Sequence, residues 1–234
     1  MRHSSRVCRL ACAVLVALIA ARAGAGSEGT ERPVARLVQS LEARYKNASS
    51  FRAVFLERRS EGPSSIQVES GTLYIRRPGM MRWEYESPEQ KLFLVDGKNA
   101  WFYVPADRTA TKAPVRDSDD ARIPLLLLTG KASLARVCRR IELADTHVEA
   151  AGNTALRCLP ANGGEEYKEA VFEVDSQSHL VRLLVREPGN VETEFHFGKW
   201  EENVSLDAAL FHFSPPKGTV IVDERSLLGN PGGR

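Results

Sequence analysis

From Phe51 onward the apolar residues of this chain recur at every second position, and turn residues break the alternation at short intervals. Phe51, Ala53 and Phe55 alternate with Arg52, Val54 and Leu56. Leu73, Ile75 and Arg77 share one parity of the next stretch. Side chains two apart lie on one face of a strand, so this period predicts strands with one buried face. The breaks are Gly62-Pro63-Ser64-Ser65, Pro78-Gly79, Ser87-Pro88-Glu89, Asp96-Gly97, Gly152-Asn153, Asn162-Gly163-Gly164, Ser176-Gln177-Ser178 and Pro188-Gly189-Asn190. Gly supplies positive φ and Pro a fixed φ, so such clusters turn the chain back on itself. Asp96-Gly97 between Leu92–Val95 and Asn99–Val104 is a strong hairpin signal. Short strands joined by short turns make an antiparallel meander, closing toward a barrel or a strongly curved sheet. Such a sheet has a concave face that something must cover.

Two segments depart from this period. Val34, Leu37, Val38, Leu41 and Tyr45 recur at helical spacing behind Pro33, predicting one amphipathic helix that ends near Asn47-Ala48-Ser49. In the middle, Ile123-Pro124-Leu125-Leu126-Leu127-Leu128-Thr129-Gly130 can start a short helix at Pro124 and cap it at Gly130. Leu134, Val137, Cys138 and Ile141 continue at helical spacing. Strands then return over 141–149, 154–160, 166–175, 179–187 and 191–200, followed by a strand-like Leu210–Phe213 and the tail PPKGTVIVDE. At 234 residues the length favours one domain.

The first residues stand apart from the fold. MRHSSRVCR is basic, LACAVLVALIA is a short apolar run, and Ala21-Arg22-Ala23 and Ala23-Gly24-Ala25 are cleavage candidates. Residues 1–23 read as a cleavable secretory signal; the alternative, a membrane anchor, would need about 20 apolar residues. Cleavage removes four arginines and no acids, leaving 28 basic against 30 acidic residues. Such a balance gives no strong field for nucleic acid or an anionic membrane. Residues 24–33 read as a flexible lead-in and 226–234 as a flexible tail. Cys8 and Cys12 leave with the signal, and neither is placed for lipid modification. Cys138 and Cys158 remain. In an exported chain they suggest one disulfide worth roughly 3 kcal/mol, with two separate buried thiols as the alternative.

Catalytic constellations do not emerge. HExxH, GxSxG, a P-loop and a dinucleotide fingerprint are all missing from the sequence. His147, His179, His196 and His212 stand singly and read as surface or edge residues. Asp96-Gly97-Lys98 reads as a turn and Glu165-Glu166 as a solvated hairpin end. The cysteine spacing fits no zinc or redox pattern, and nothing calls for a cofactor. The apolar inventory says more. Leu125, Leu126, Leu127 and Leu128 are too many leucines for one short helix to bury against one partner. Met80, Met81, Trp83, Tyr85, Trp101 and Tyr103 suit either a core or a surface that accepts variable apolar ligands.

RRPGMMRWEYESPEQKLFLVDGKNAWFYVP, residues 76–105, resembles the centre of the LolA family of periplasmic lipoprotein carriers. The resemblance extends to Ser50–Phe55, to Ile123–Leu128, and to Phe211-His212-Phe213-Ser214-Pro215-Pro216-Lys217-Gly218 followed by Val222-Asp223, so it covers about residues 34–225. It implies an incomplete, unclosed antiparallel β-barrel of about eleven strands with an α-helical lid over an apolar cavity. It further implies a soluble, monomeric periplasmic protein without enzymatic activity. The family takes acylated lipoproteins from an inner-membrane ABC transporter and hands them to an outer-membrane acceptor. The cavity wall would be Phe51, Phe55, Leu73, Ile75, Met81, Trp83 and Tyr85, with Leu125 to Leu128 in the lid. In the family, the Arg of the Arg-Pro motif latches main-chain carbonyls of the lid; here that position is Arg77. Met81 departs from an aromatic that the family often has there. A carrier for another lipid or glycolipid, or a sensor of envelope stress, would use the same half-barrel.

Overall fold

The computed structural model describes residues 28–115, 127–128, 133–161, 163 and 167–223. The expected signal segment, Leu125, Leu126, Glu165, Glu166 and the tail lie outside the described residues. One helix, α1 (Glu28–Asn47), precedes six strands: β1 (Ser50–Glu61), β2 (Ile66–Arg76), β3 (Met80–Ser87), β4 (Lys91–Val95), β5 (Asn99–Val104) and β6 (Thr109–Pro114). A single turn of helix, α2 (Leu134–Val137), leads into β7 (Cys138–Leu143), β8 (Thr154–Pro160), β9 (Glu169–Val174), β10 (Leu180–Glu187) and β11 (Val191–Glu202). A 3-10 turn (Ala208–Phe211) and β12 (Val220–Asp223) complete the order.

Among the described residues twelve strands form one sheet, ordered β12-β6-β5-β4-β3-β2-β1-β11-β10-β9-β8-β7. Its edges, β12 and β7, are not paired with each other, so the barrel is unclosed as expected. The pairings among β1 to β11 are all antiparallel; β12 lies parallel to β6, with Val220 opposite Thr109. The meander reverses order once: β1 pairs both with β2 and with β11, which joins the two halves of the chain side by side.

Several elements differ from the sequence expectation. α1 begins at Glu28, so 28–33 are helical rather than an irregular lead-in, and Pro33 lies inside the helix. Pro33 is the sixth residue of the helix, past the four N–H groups that have no intrahelical partner, so it forfeits one bond, the one to the Gly29 carbonyl in the first turn. The helical spacing through Ile141 stops at Val137, because Cys138 turns to extended backbone and Ile141 pairs with Cys158 in the sheet. Leu210–Phe213 is not a strand. Asp207 caps a 3-10 turn there, its carboxylate accepting from the Ala209 N–H at 2.9 Å. β6, TATKAP, has too little apolar alternation to announce itself.

The sheet separates two faces. On the concave face Leu41 and Tyr45 of α1, with Ala48 just after it, join a core of side chains from β1 to β4 and β7 to β11. On the convex face, Arg82 donates to the Leu210 carbonyl at 2.9 Å, and Trp101 and Tyr103 meet Phe213 at 5.4 and 5.2 Å between ring centroids. The C-terminal segment thus straps the outside of β3 to β5. Farther round, residues 144–153 cover Ala155, Val171 and Leu184 and the fully buried Glu173.

Candidate functional site

The register across the Pro78-Gly79 turn decides what faces inward. β2 and β3 pair Ile75 with Met81, Leu73 with Trp83 and Gly71 with Tyr85. β1 sets Phe51 opposite Ile75, Ala53 opposite Leu73 and Phe55 opposite Gly71. β11 adds Phe197 opposite Phe55 and Phe195 opposite Glu57. Residues paired across neighbouring strands point to the same face, so these side chains form one inward row after another. Phe51, Phe55, Leu73, Ile75, Met81 and Trp83 are all nearly inaccessible to solvent, and Tyr85 packs at the edge of the same cluster. Leu127 and Leu128 are buried in it as well. The described part of the predicted site is therefore brought together on one surface.

The centre of that surface is aromatic. Trp83 lies 4.7 Å from Phe55, 5.4 Å from Phe195 and 6.0 Å from Phe197, mostly edge to face. Phe55 also meets Tyr85 at 5.0 Å, although a whole strand separates them. Gly71 makes this possible. It occupies the position between the two rings, and a Cβ there would stand 1.8 Å from the Glu84 carbonyl oxygen. Without a side chain at Gly71, β3 approaches closely and the rings close over the gap.

Two elements cover the groove, and each is tied down at identifiable points. At the C-terminal end of α1, Tyr45 accepts from the Leu180 N–H at 2.9 Å, and burial pushes its phenol pKa up. Arg44 donates to the Gln177 carbonyl at 2.8 Å and pairs with Glu202 and His179. His179 in turn meets Asp175 at 2.9 Å. Burial raises the Asp175 pKa, but hydrogen bonds from His179 and Gln177 outweigh it and hold the carboxyl below its usual range. Farther along α1, Glu42 accepts from the Ser133 hydroxyl at 3.0 Å and the Leu134 N–H at 2.7 Å. This fastens α1 to α2. Cys138 and Cys158 are joined in a disulfide that ties edge strand β7 to β8.

Arg77 behaves differently from its expectation in one respect. Its guanidinium Nη1 donates to a main-chain carbonyl, but that carbonyl is Lys46's in the last turn of α1, at 2.7 Å. The last carbonyls of a helix lack intrahelical partners and carry the negative end of its dipole, so a cation is favoured there. Its Nε and Nη2 are buried and find no hydrogen-bond partner among the described residues. Burial also lowers the guanidinium pKa.

The groove ends in a polar cluster that the sequence did not flag. Glu57 and Glu69 face each other across β1 and β2. The Tyr85 hydroxyl donates to Glu57 at 2.8 Å, and Lys91 pairs with Glu69. Burial, reinforced by the Glu69 charge, raises the Glu57 pKa above the usual carboxylate range. Beyond them Arg59 donates to Thr193 at 3.1 Å and Glu187 at 3.3 Å. Phe195 and Phe197 were also missed; their alternation was visible, but the pairing of β11 with β1 that brings them to Trp83 was not. Trp101 and Tyr103 lie on the opposite face. An apolar trough with a charged end, under a helical cover, suits a ligand with a long apolar body and a polar end.

Comparison with known proteins agrees with this geometry. The family described as "Outer membrane lipoprotein carrier protein LolA" matches residues 46–214. The chain belongs to the LolA family. The LolA match takes in β1 to β11 and the strap over the convex face, and leaves out most of α1 and β12. An outer-membrane lipoprotein carrier protein from Salmonella paratyphi A is 24% identical over 217 residues, covering 92% of this chain and 97% of that protein. The protein of the same name from Klebsiella pneumoniae is 25% identical over 186 residues, covering 79% and 87%. Among solved structures, an uncharacterized conserved protein from Thermus thermophilus shares the fold. Its TM-score is 0.51 at 11% identity, with 81% of this chain and 98% of that one aligned.

Proposed function

We propose that this LolA-family protein is a soluble periplasmic carrier that shields the acyl chains of lipoproteins between the inner and the outer membrane. The observation that carries the reading is the continuous apolar concave face, from Phe51 to Phe197, held under α1 and Leu127-Leu128 rather than under a closed barrel wall. Each CH₂ kept from water is worth about 0.8 kcal/mol, so a chain of about sixteen carbons carries roughly 12 kcal/mol against crossing water bare. A carrier must supply comparable shelter and still let go. Side chains from separable elements meet both needs: displacing the cover opens apolar surface for the ligand, and its return expels the ligand. The role requires no covalent chemistry. Cargo would arrive from an inner-membrane ABC transporter and leave to an outer-membrane acceptor, with Arg77 as the latch on the cover.

Purification from the native periplasm, followed by mass spectrometry of bound material, tests the proposal. Acylated lipoproteins are the expected finding. Free phospholipid or glycolipid alone would overturn it in favour of a different cargo.

A further inference from the structure

The chain has three tryptophans. The indole N–H of Trp200 donates to the Leu180 carbonyl at 3.0 Å, and that of Trp101 meets an Asp96 carboxylate oxygen at 3.3 Å. Trp83 is the most deeply placed at the centre of the groove, only 2% exposed, yet its Nε1 finds no hydrogen-bond partner among the described residues. Its neighbours explain why. Phe55, Phe195 and Phe197 surround the ring, and none carries an oxygen or nitrogen on its side chain. An N–H directed at an aromatic face recovers little of what water would have supplied. Tryptophan is ordinarily placed in a core where its N–H reaches an acceptor, and a buried donor left without one calls for an explanation.

Trp83 lies on the same inward face as the leucines and phenylalanines that would hold an acyl chain. The missing partner must therefore bring an oxygen into an aromatic pocket while attached to an apolar body. A hydrocarbon has no acceptor. A free carboxylate would surrender its hydration among phenyl rings, which offer it neither a charge nor a donor in return. The carbonyl oxygen of an ester or amide is neutral, a good acceptor, and stands at the head of every acyl chain.

We propose that the Trp83 indole N–H is the hydrogen-bond donor for the carbonyl oxygen of a bound acyl group, so that the groove recognises the acyl linkage and not hydrocarbon alone. This rests on the carrier reading above and adds a specificity element to it. Acyl carbonyls would then set the depth to which chains enter, with Trp83 as the marker.

The test compares two ligands of equal chain length below their micellar concentrations, a monoacylglycerol with an ester carbonyl and the matching alkyl glyceryl ether. Each displaces a fluorescent fatty probe from the protein. The wild type is expected to bind the ester about tenfold tighter than the ether. Trp83→Phe keeps a ring and drops the donor, and should bring that ratio close to one whatever it does to affinity for both. In ¹H–¹⁵N spectra the Trp83 indole resonance should move downfield with the ester and not with the ether. Equal binding of both ligands by the wild type, or a ratio unchanged in Trp83→Phe, overturns the assignment while leaving the carrier reading intact. Binding of neither ligand overturns the carrier reading, and the Trp83 assignment falls with it.

Discussion

Arg77→Leu should loosen the cover without unfolding the sheet, and the structure sets the size of the effect. The charged hydrogen bond from Nη1 to the Lys46 carbonyl, 2.7 Å long, contributes about 1.5–3 kcal/mol to docking the end of α1. Against it, the buried Nε and Nη2 have no partner among the described residues, and each such group costs about 1–3 kcal/mol. Leucine removes the gain and the cost together. Global stability should therefore change little, with a Tm within roughly 4 °C of wild type. Fraying of the last turn of α1 breaks the Lys46 hydrogen bond while Nε and Nη2 stay enclosed, so there only the gain is at stake, and without it fraying should become about ten- to a hundredfold more frequent. The assay is native-state hydrogen exchange. Amides of Leu41 to Asn47 should exchange faster by that factor, while those of β9, remote from the latch, keep wild-type protection. Arg77→Lys retains the charge but not the fork, and should fall between the two. Wild-type exchange throughout α1 in Arg77→Leu would refute the latch. Tyr45, Arg44 and Glu42 would then be holding the helix without it.

Three further predictions concern stability. Glu57 and Glu173 should respond to pH with opposite signs. Glu57 has a raised folded pKa, so stability falls as pH climbs from the usual value of 4.5 through the folded pKa, and Glu57→Gln should stabilise at neutral pH. At Glu173 burial raises the pKa, but hydrogen bonds from Asn153, the Glu149 N–H and Arg182 outweigh it; that stability is present above the usual pKa and fades as pH drops through the folded one. Glu173→Gln should therefore destabilise at neutral pH and flatten the acid limb in urea titrations from about pH 3 to 8; equal slopes in both variants would contradict the assignment. Gly71→Ala should lower Tm by about 2–12 °C, since a Cβ 1.8 Å from the Glu84 oxygen forces a backbone shift, and an unchanged melting curve would refute this. Cys158→Ser opens a crosslink spanning 20 residues and should cost about 3 kcal/mol. Chain lacking residues 1–23, denatured without reductant, should show no free thiol.

Period-two alternation made the inward row legible from Phe51 to Tyr85, because each strand there keeps one apolar parity and the turns between them are marked by Gly and Pro. The order of the sheet was not legible. That β1 pairs with β11 depends on contacts some 140 residues apart, which no local pattern encodes, and this pairing is what completes the aromatic box around Trp83. Local signals also failed where tertiary pairing won. Cys138 and Ile141 read as helix by spacing, yet the second edge of β8, whose other edge pairs with β9, takes them up as β7. Motif and parity pointed to Arg77 as a donor to main-chain carbonyls but not to the Lys46 carbonyl it meets, because a main-chain carbonyl leaves no trace in side-chain chemistry. Glu57 stands two residues beyond Phe55, and Glu69 between Gln67 and Gly71 on its face, so both looked like ordinary solvent-facing acids until the register set them face to face.

The outer edges of the sheet, β7 and β12, which pair with no further strand among the described residues, carry a mechanical consequence. In a closed barrel, strand number and shear fix the radius, so the interior has one gauge. An open ribbon of twelve strands has no such constraint. It can widen by losing a few degrees of twist at each step between neighbours, and every backbone ladder survives the change. The disulfide stiffens one rim at β7 and β8, and the C-terminal strap stiffens the outer wall of β3 to β5. The gauge of such a trough is set by twist and by what fills it, as in a sprung clip rather than a pipe.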